Sequence, residues 1–481
     1  MRDALLSIQT ESSGKSSLYP DASCLFFRIW GDGNLRKRHP GRSFLTAARD
    51  SVTMLKGYPP PAAEETEDDT PMSTAKKVLF LVFDGLGDRP VPELGDLTPL
   101  EAAATPNFDA IAAKSICGLS NALGRGIRPG SDVSHLAIFG YPMEQYYTGR
   151  GPIEVAGLGI TLQEGDIAFR GNFGTVDENW NILDRRAGRI RVVDEFAAAL
   201  DGMEIDGVQV LVKPGTAHRA GVVFRGKGLS AAITDADPHA EGLPVLEVKP
   251  ADGTPEAAFT AKVINQFMRR AYEILDRMPA NAARRAAGEF PANFMLLRGA
   301  GIYPTLPKFA DKYGMKACCI AGGGLYKGIG AFLGMDLITV PGATALPDSD
   351  VKAKFIAAKK ALADYDFVFT HVKATDSLAE DGNYAGKKAF IEKCDAAAAE
   401  LLDLPEDVLL VITADHSTAC ELKAHTADPV PILFCSPHVR RDEVCSFGER
   451  AFSRGGLGRM VGKDVMPEVM NILGRLHLIG A

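Results

Sequence analysis

Aspartate and histidine side chains follow several of the apolar runs that predict strands in this chain. Carboxylate oxygens and imidazole nitrogens are common ligands of divalent metal ions. In open α/β sheets, ligands bind beyond the carboxyl ends of the strands, so residues placed there can meet at one edge. The residues in such positions are Asp84, His371, Asp376, Asp415, His416 and His425. Any one of them could be an ordinary turn or surface residue, but their recurrence at strand ends predicts a metal site.

A candidate nucleophile, Ser131, lies between Gly130 and Asp132, ahead of the apolar run from Leu136 to Phe139. That run predicts a helix that begins near Ser131. Free backbone N–H groups and the helix dipole at such a position favour a phosphate dianion. The alternative is that Ser131 is an ordinary N-cap residue without a chemical role.

The elements that would position these residues alternate between strands and helices from Lys76 onward. The first run, Val78 to Phe83, is continuously apolar, as expected of a strand covered on both faces. Similar runs are Phe294 to Leu297, Ala317 to Ile320, Phe367 to Phe369, Val408 to Ile412 and Ile432 to Phe434. Helical segments lie between several of them, for example after Thr105, a possible cap. The pattern predicts an α/β fold with a mostly parallel sheet flanked by helices.

The segment 155–285 interrupts this alternation. It contains strand-like pieces, such as Val208 to Val212 and Gly221 to Phe224, and a long helical run from Pro255 to Met278. We therefore predict an inserted α+β cap domain at 155–285 that binds the substrate. Residues 72–154 and 286–481 would form one discontinuous metal-binding domain, since a chain of 481 residues is too long for one ordinary core.

Composition excludes several classes of partner. The formal net charge is −8 and there is no long stretch of Lys and Arg, which argues against binding nucleic acid. No uninterrupted apolar stretch approaches the roughly 18 residues that a membrane span needs. The eight cysteines are scattered without a C-x-x-C pair, which favours reduced thiols and a cytoplasmic setting. The sequence does not indicate an oligomeric state.

Residues 1–71 differ from the rest of the chain. They mix Ser, Arg, Pro and Gly without sustained periodicity and end near the acidic run from Glu64 to Asp69. This composition is typical of disorder. We predict a disordered extension or a misassigned start, with Met72 as the alternative first residue, and a transit peptide also remains open.

Several motifs together resemble the alkaline phosphatase superfamily: Asp84 with Gly85, the Thr105 helix start, the turn at Ser131 and the segment 414–417. Longer segments are similar to the archaeal-type cofactor-independent phosphoglycerate mutases. They are GSDVSHLAIFGY (130–141), TGRGP (148–152), DRRAGRI (184–190) and HVKATD (371–376). The resemblance runs from about residue 76 to the C-terminus and implies an alkaline-phosphatase-like fold.

By this resemblance, Ser131 becomes phosphorylated during turnover and no bisphosphoglycerate cofactor is needed. The resemblance implies two divalent ions, with Mn²⁺ or Mg²⁺ favoured and Zn²⁺ or Co²⁺ as alternatives. One ion would be held by Asp84, Ser131, Asp415 and His416. The other would be held by Asp376, residue 380 and His425.

Position 380 departs from the resembling family, which usually has His four residues after the first Asp, whereas this chain has Glu380. Glu binds Mn²⁺ or Mg²⁺ through oxygen and makes a site less suited to Zn²⁺. The alternative is that Glu380 leaves the second site weak.

A mutase also needs cations for the glycerate carboxylate, which arginine binds bidentately. The candidates in the predicted cap are Arg185, Arg186, Arg189, His218, Arg219, Asp237 and His239. Taken singly, each arginine could be a solvated surface charge. The glycine-rich segment 322–328 fits no phosphate-binding motif and is a turn by default. The resemblance nevertheless makes Lys327 a second catalytic candidate, one that contacts the phosphoryl group.

The activity that the resemblance implies is the interconversion of 3-phosphoglycerate and 2-phosphoglycerate, a step of glycolysis and gluconeogenesis, through phosphorylated Ser131. The alternative is a metal-dependent phosphatase, or a phosphotransferase on another small phosphorylated alcohol, as in relatives described as homoserine kinases. An ATP-using kinase should show a nucleotide site, and we find no recognisable one. A metal-binding scaffold without catalysis is a further alternative, and the presence of Ser131 with Asp415 and His416 argues against it.

Overall fold

A computed structural model describes residues 75–479, so the predictions for residues 1–71 lie outside the described residues. The strands are β1 (Lys77–Phe83), β2 (Ser115–Asn121), β3 (Ile167–Val176), β4 (Ile182–Asp184), β5 (Glu204–Ile205), β6 (Val208–Pro214), β7 (Arg219–Arg225), β8 (Phe294–Ile302), β9 (Ala317–Ile320), β10 (Asp336–Leu337), β11 (Phe367–Val372), β12 (Val408–Ala414), β13 (Ser417–Ala419), β14 (Ala424–Thr426), β15 (Val430–Cys435) and β16 (Gly458–Val461).

Besides the α-helices, the described part of the chain has two short 3₁₀ helices at Pro92–Leu94 and Ala399–Leu401. The α-helices are α1 (Pro99–Ala102), α2 (Pro106–Ala112), α3 (Ser131–Ile138), α4 (Met143–Tyr146), α5 (Arg150–Ala156), α6 (Asp194–Leu200), α7 (Pro255–Asp276), α8 (Pro279–Ala286), α9 (Phe309–Tyr313), α10 (Gly324–Phe332), α11 (Val351–Ala361), α12 (Ala374–Glu380), α13 (Tyr384–Ala398), α14 (Glu449–Phe452) and α15 (Gly462–Ile472). Among residues 75–479, none of these helices combines the length and apolar character needed to cross a bilayer.

The larger sheet has eight strands in the order β10-β9-β11-β1-β12-β15-β2-β16. Strand β1 lies near its centre, parallel to both β11 and β12, whereas β15 runs antiparallel to its two neighbours. Leu79, Leu81 and Phe83 of β1 pack into one hydrophobic cluster, and the alternate residues, such as Phe80, pack into another. Because side chains alternate between the faces of a strand, both faces are covered. The predicted mostly parallel, helix-flanked sheet is confirmed.

A second, antiparallel sheet of six strands has the order β4-β3-β7-β6-β5, with β8 also paired to β3. Helix α7 covers it and buries Ile264 and Phe267 in its core. The sequence assigned Phe294–Leu297 to the parallel sheet, which is wrong, because this run lies in β8 of the second sheet. A continuous apolar run shows burial on both faces, but not which sheet a strand joins. The predicted domain limits, 72–154 with 286–481 and 155–285, stay a prediction.

Thr105, expected to cap α2, makes no capping hydrogen bond, and its hydroxyl instead donates to Asp109 Oδ1 at 3.3 Å. The sequence could not separate these two roles, because both bring a threonine hydroxyl to the start of a helix. Pro106 does occupy the first turn.

A fully buried lysine of α13, Lys387, joins the loops that follow β1 and β12. Its ammonium donates to Gly87 O at 3.1 Å, to Thr418 O at 3.0 Å and to Asp88 Oδ2 at 2.9 Å. The other oxygen of Asp88 accepts the backbone N–H of Cys420 at 3.0 Å. These contacts fix two loops that are far apart in sequence against each other, beside the candidate site described below.

Removing this ammonium should therefore destabilise the fold. We expect Lys387→Met to lower the free energy of unfolding by about 3–5 kcal/mol, because the Asp88 carboxylate stays buried without its partner. The double variant Lys387→Met/Asp88→Asn should lose less, since it removes both charges. Urea denaturation of the three proteins measures the effect. Equal losses in the single and double variants would contradict the assignment of the cost to an unpaired charge.

Candidate functional site

The predicted ligands meet at the carboxyl edge of the larger sheet, in a cluster we call the metal centre. Asp84 comes directly after β1, Asp415 and His416 come after β12, and Asp376 lies in the first turn of α12, which follows β11. His425 reaches the same place from β14. The order of the strands and the loops that follow them bring these five side chains together, as the sequence predicts.

Gly85 allows this convergence. It has φ +57°, and a Cβ there would clash with the Thr418 hydroxyl and stand 2.8 Å from Asp376 Oδ1. Its backbone N–H donates to Asp415 Oδ1 at 3.1 Å. Asp84 and Gly85 form a turn, as is usual for Asp-Gly after a strand. At this turn, the loop after β1 touches the loops that carry Asp376 and Asp415.

One group of potential ligands consists of Asp84, Asp415 and His416, whose donor atoms all lie within 4.8 Å of one another. His416 Nε2 is 3.4 Å from Asp84 Oδ1 and 3.3 Å from Asp415 Oδ2. These two carboxylate oxygens are buried and have no hydrogen-bond partner within residues 75–479. Buried oxygens of carboxylates are normally paired, so this arrangement fits a cation.

Ser131 adjoins this group. It is the first residue of α3, Gly130 is the N-cap, and Ser131 Oγ lies 3.1 Å from His416 Nε2. The hydroxyl therefore faces the metal centre and does not cap the helix, which excludes the alternative of an ordinary N-cap. His135, one turn later, donates from Nδ1 to the carbonyl of Ser131 at 2.6 Å and fixes its backbone.

A second group consists of Asp376, His416 and His425. His425 donates from Nδ1 to Pro129 O at 2.9 Å, which leaves Nε2 free to act as a ligand, 3.5 Å from Asp376 Oδ1. The rings of His416 and His425 stack with centroids 3.7 Å apart, so His416 lies within reach of both groups. The sequence had placed His416 in the first group alone.

Glu380, the departure from the family pattern, lies at the outer side of the second group. Its Oε1 is 4.0 Å from His425 Nε2, and the side chain is 53% exposed. Together the two groups offer oxygen and nitrogen donors and no sulfur, a set that fits two divalent cations.

Burial controls the charge state of the metal centre. Burial, with the nearby Asp415 carboxylate, raises the pKa of Asp84 to about 8. Burial also raises the pKa of Asp415 to about 7, with Asp376 contributing. Burial lowers the pKa of His416 to about 4, so its imidazole is neutral near pH 7 and can bind a metal.

Two residues of the metal centre were missed by sequence reasoning. Lys373 Nζ lies 3.1 Å from Asp84 Oδ2 and forms an ion pair with Asp376 Oδ2. The Tyr326 hydroxyl donates to Asp84 Oδ2, and its ring stacks on His371 at 3.4 Å between centroids. Lys373 lies inside the HVKATD motif and directly follows β11, and this position could have identified it. It was overlooked because sequence reasoning considered metal ligands, and lysine is not one.

Lys327, the second catalytic candidate, has no observed contact with the metal centre among residues 75–479. Within residues 75–479 its side chain forms no hydrogen bond or ion pair, whereas Tyr326, the preceding residue of α10, reaches Asp84. The charge of Lys327 instead acts on Cys319 and Lys354.

The second sheet carries a cluster of basic residues. Arg185 binds Asp237 with both branches of its guanidinium, at 3.1 Å to Oδ1 and 2.5 Å to Oδ2, and lies 3.4 Å from His239 Nδ1. Arg298 Nε is 3.8 Å from Asp237 Oδ2, and its partner in the sheet register is Arg170. The predicted Arg185, Asp237 and His239 are therefore in contact.

Arg170 and Arg298 are half-buried arginines that sequence reasoning missed. The Nε atom of each is buried without a hydrogen-bond partner among the described residues. Burial lowers the pKa of Arg170 to about 10, and the charges of Arg298 and Arg219 act in the same direction. An arginine inside an otherwise apolar strand, as in IAFRGNF and FMLLRGAGI, was the signal that could have identified them.

The other predicted cap residues lie at the rim. Burial lowers the pKa of His218 to about 4, and the charges of Arg219 and Arg186 add to this shift. Arg186 and Arg189 are exposed, with no ion pair of their side chains in residues 75–479. The charge of Arg186 therefore acts on His218, whereas no such interaction with the cluster is seen for Arg189 among residues 75–479.

Charged side chains connect this cluster to Ser131. Glu154 accepts from Arg150 Nε at 2.6 Å and pairs with Arg170 Nε at 3.2 Å. Burial opposes the charge on Arg150, but Glu154 and Asp132 raise its pKa. Since Asp132 is next to Ser131, the basic cluster extends towards Ser131.

A mostly parallel sheet with two groups of potential metal ligands and a serine at its carboxyl edge is an arrangement that fits a metalloenzyme. The profile of the Metalloenzyme superfamily matches residues 76–472.

Comparison with individual proteins narrows the class. The chain is 48% identical over 414 residues to the 2,3-bisphosphoglycerate-independent phosphoglycerate mutase 1 of Methanocaldococcus jannaschii, covering 85% of this chain and all of the relative. It is 47% identical to the protein of the same name from Archaeoglobus fulgidus, with 84% and 100% coverage. A cofactor-independent phosphoglycerate mutase from Thermoplasma acidophilum has a similar structure, with a TM-score of 0.67, 37% identity and coverage of 83% and 100%. The chain belongs to the family of 2,3-bisphosphoglycerate-independent phosphoglycerate mutases.

Metal binding should depend on pH. Because the raised pKa values of Asp84 and Asp415 lie at about 8 and about 7, the metal-free centre holds protons at pH 6 that a cation must displace. We expect the apparent affinity for Mn²⁺ to rise by about tenfold per pH unit for each displaced proton between pH 6 and 8. Calorimetric titration in two buffers with different heats of ionisation detects the released protons. Equal affinity at both pH values, without proton release, would contradict the charge states given above.

Proposed function

We propose that this chain interconverts 3-phosphoglycerate and 2-phosphoglycerate through a phosphoserine intermediate at Ser131, without bisphosphoglycerate. The observation that carries the proposal is the position of Ser131 Oγ, at the start of α3 and 3.1 Å from His416 Nε2, beside two groups of metal ligands. The family of the chain supports the choice of substrate.

We further propose that Asp84, Ser131, Asp415 and His416 hold one divalent ion, and that Asp376, Glu380 and His425 hold the other. Two such ions, Mn²⁺ or Mg²⁺ by the oxygen-rich donor set, would lower the pKa of the serine hydroxyl and offset charge on the phosphoryl oxygens.

In the forward transfer, Ser131 Oγ forms a bond to phosphorus while the ester bond to the glycerate oxygen breaks. The glycerate oxygen gains a proton in place of the one that the serine hydroxyl loses. After glycerate turns, its other hydroxyl loses a proton and takes the phosphoryl group, and Ser131 regains its proton. The backbone N–H groups at the start of α3 stabilise the anionic phosphoryl group on Ser131.

A mutase must retain glycerate while it turns, whereas a phosphatase admits water to phosphorylated Ser131. The half-buried Arg170 and Arg298, which pair through Nε with Glu154 and Asp237, suit the glycerate carboxylate, because arginine has further N–H donors that bind carboxylates in pairs. Arg185 is held in place by Asp237, and His218, Arg219 and His239 extend the same basic cluster. These contacts favour the mutase over the phosphatase.

We also propose a cytoplasmic location. All seven cysteines among residues 75–479 carry free thiols, and most are buried. Free thiols in this number suit a reducing compartment.

Ser131→Ala should abolish the mutase activity, by at least a thousandfold, since covalent transfer requires this oxygen. The assay couples conversion of 3-phosphoglycerate to enolase, with Mn²⁺ and without bisphosphoglycerate. Ser134→Ala is the matched control, because Ser134 lies in the same helix and its buried hydroxyl has no hydrogen-bond partner in the described part of the chain. Retention of a tenth of the activity in Ser131→Ala would contradict the phosphoserine mechanism. Release of inorganic phosphate by the unchanged protein, without 2-phosphoglycerate, would identify a phosphatase.

Glu380→Ala should weaken the second metal site and lower kcat by about 10- to 100-fold, because the phosphoryl charge loses one of its two clamps. Glu380→His places the usual family residue at this position, so it should be more active than Glu380→Ala and should shift metal preference towards Zn²⁺ or Co²⁺. Asp381→Ala, at the exposed neighbouring position, is the control. Calorimetric metal titrations run beside the activity assays, and an unchanged metal profile in both Glu380 variants would show that Glu380 is not a ligand.

A further inference from the structure

We propose that Lys373, and not Lys327, is the catalytic lysine that contacts the transferred phosphoryl group. This inference rests on the proposed function and names a further residue of the same site. The sequence motif HVKATD contains Lys373, but its role cannot be read from the motif alone.

Lys373 lies between the two groups of metal ligands. It follows β11 and is the N-cap residue of α12. Its ammonium is 3.1 Å from Asp84 Oδ2, which belongs to the first group, and pairs with Asp376 Oδ2, which belongs to the second. The position between two metal-binding groups is where a phosphoryl group shared by two ions has to lie.

The Lys373 ammonium can also reach a ligand. Its side chain is 22% exposed, whereas Asp84 and Asp376 are buried, so the lysine lines the open side of the metal centre. An ammonium has three N–H donors, and the two carboxylates leave one of them without an acceptor in residues 75–479. The ammonium lies 5.9 Å from the centroid of the Tyr326 ring, which limits its movement to one side.

Helix α10 excludes Lys327 from the same place. Tyr326 directs its hydroxyl to Asp84, and the next residue of an α-helix points about 100° away around the axis. The charge of Lys327 acts on the pKa values of Cys319 and Lys354. Lys354 is itself buried, and its ammonium donates to His371 O at 3.0 Å. Within residues 75–479, no hydrogen bond or ion pair joins Lys327 to a residue of the metal centre, whereas Tyr326 and Lys373 both contact Asp84.

The charge of the site explains why a lysine is needed there. Asp84, Asp376 and Asp415 are buried together, and a phosphate ester brings two further negative charges. If the carboxylates held divalent cations, the Lys373 ammonium would give up these partners and would still stand beside both groups. It then donates to a phosphoryl oxygen and keeps its own proton while the Ser131 Oγ–P bond forms and the ester bond breaks.

The test compares Lys373→Met with Lys327→Met, two variants that remove an ammonium and keep an unbranched side chain. Binding of inorganic phosphate to the Mn²⁺-loaded protein is measured by calorimetry, together with kcat and KM in the enolase-coupled assay. We expect Lys373→Met to weaken phosphate binding and lower kcat/KM by about 10- to 100-fold each, as for one hydrogen bond between charged groups. Lys327→Met should change both by less than about threefold.

Two further measurements separate a contact with phosphate from a structural role. Mn²⁺ affinity should be unchanged or higher in Lys373→Met, because a competing cation is removed from Asp84 and Asp376. Lys373→Arg should recover part of the phosphate affinity. Loss of Mn²⁺ binding in parallel with phosphate binding, equal effects in the two Met variants, or no phosphate binding to the loaded unchanged protein would each overturn the proposal. Since phosphate binding is measured without turnover, failure of the mutase assay alone would contradict the proposed function and not the role of Lys373.

Discussion

Repulsion between buried like charges is the constraint on which the metal centre depends. Asp84, Asp376 and Asp415 are each at most 1% exposed and lie at one edge of the larger sheet. A group of carboxylates in such a place needs either protons or cations. Burial raises the pKa values of Asp84 and Asp415, and although burial acts the same way on Asp376, Lys373 lowers its pKa overall. The ammonium of Lys373 meets part of this requirement, and divalent cations would meet the rest. The imidazole of His416 is neutral for a different reason, its own burial, which outweighs the pull of the carboxylates on its pKa.

A stiff scaffold is needed to keep these charges from moving apart. Strand β1 provides it, because it is hydrogen-bonded to β11 and β12 and its two faces pack into two different hydrophobic clusters. Gly85 lets the loops after these strands approach each other, and Lys387 fastens the loop after β1 to the one after β12. The second sheet carries arginines whose positive charges repel one another, as the lowered pKa of Arg170 shows. This positive cluster is electrostatically complementary to the acidic metal centre.

Sequence reasoning succeeded where the type of a residue and its local position along the chain were enough to predict where its side chain lies. Aspartate and histidine side chains directly after apolar strands are such a case, because the sequence predicts that Asp84, Asp415 and His416 meet at one edge of the sheet, and the structure brings them together. It failed where the answer depends on three-dimensional neighbours: the apolar run of β8 does not reveal its sheet, and the motifs around Lys327 and Lys373 do not reveal which ammonium faces the carboxylates. Arg170 and Arg298 were overlooked because their importance comes from being opposite each other across two strands that are distant in sequence.

The central position of β1 has a consequence for synthesis on the ribosome. Phe80 in β1 is paired with Phe369 in β11 and with Val411 in β12, so the two neighbours of this early strand are made 289 and 331 residues later. Until then an apolar strand has two open edges, which slows folding and favours aggregation or retention by chaperones. Asp84 likewise meets Asp376, Asp415 and His416 only after most of the chain has been made. The geometry of the metal centre therefore exists only after the chain has been made at least as far as His416.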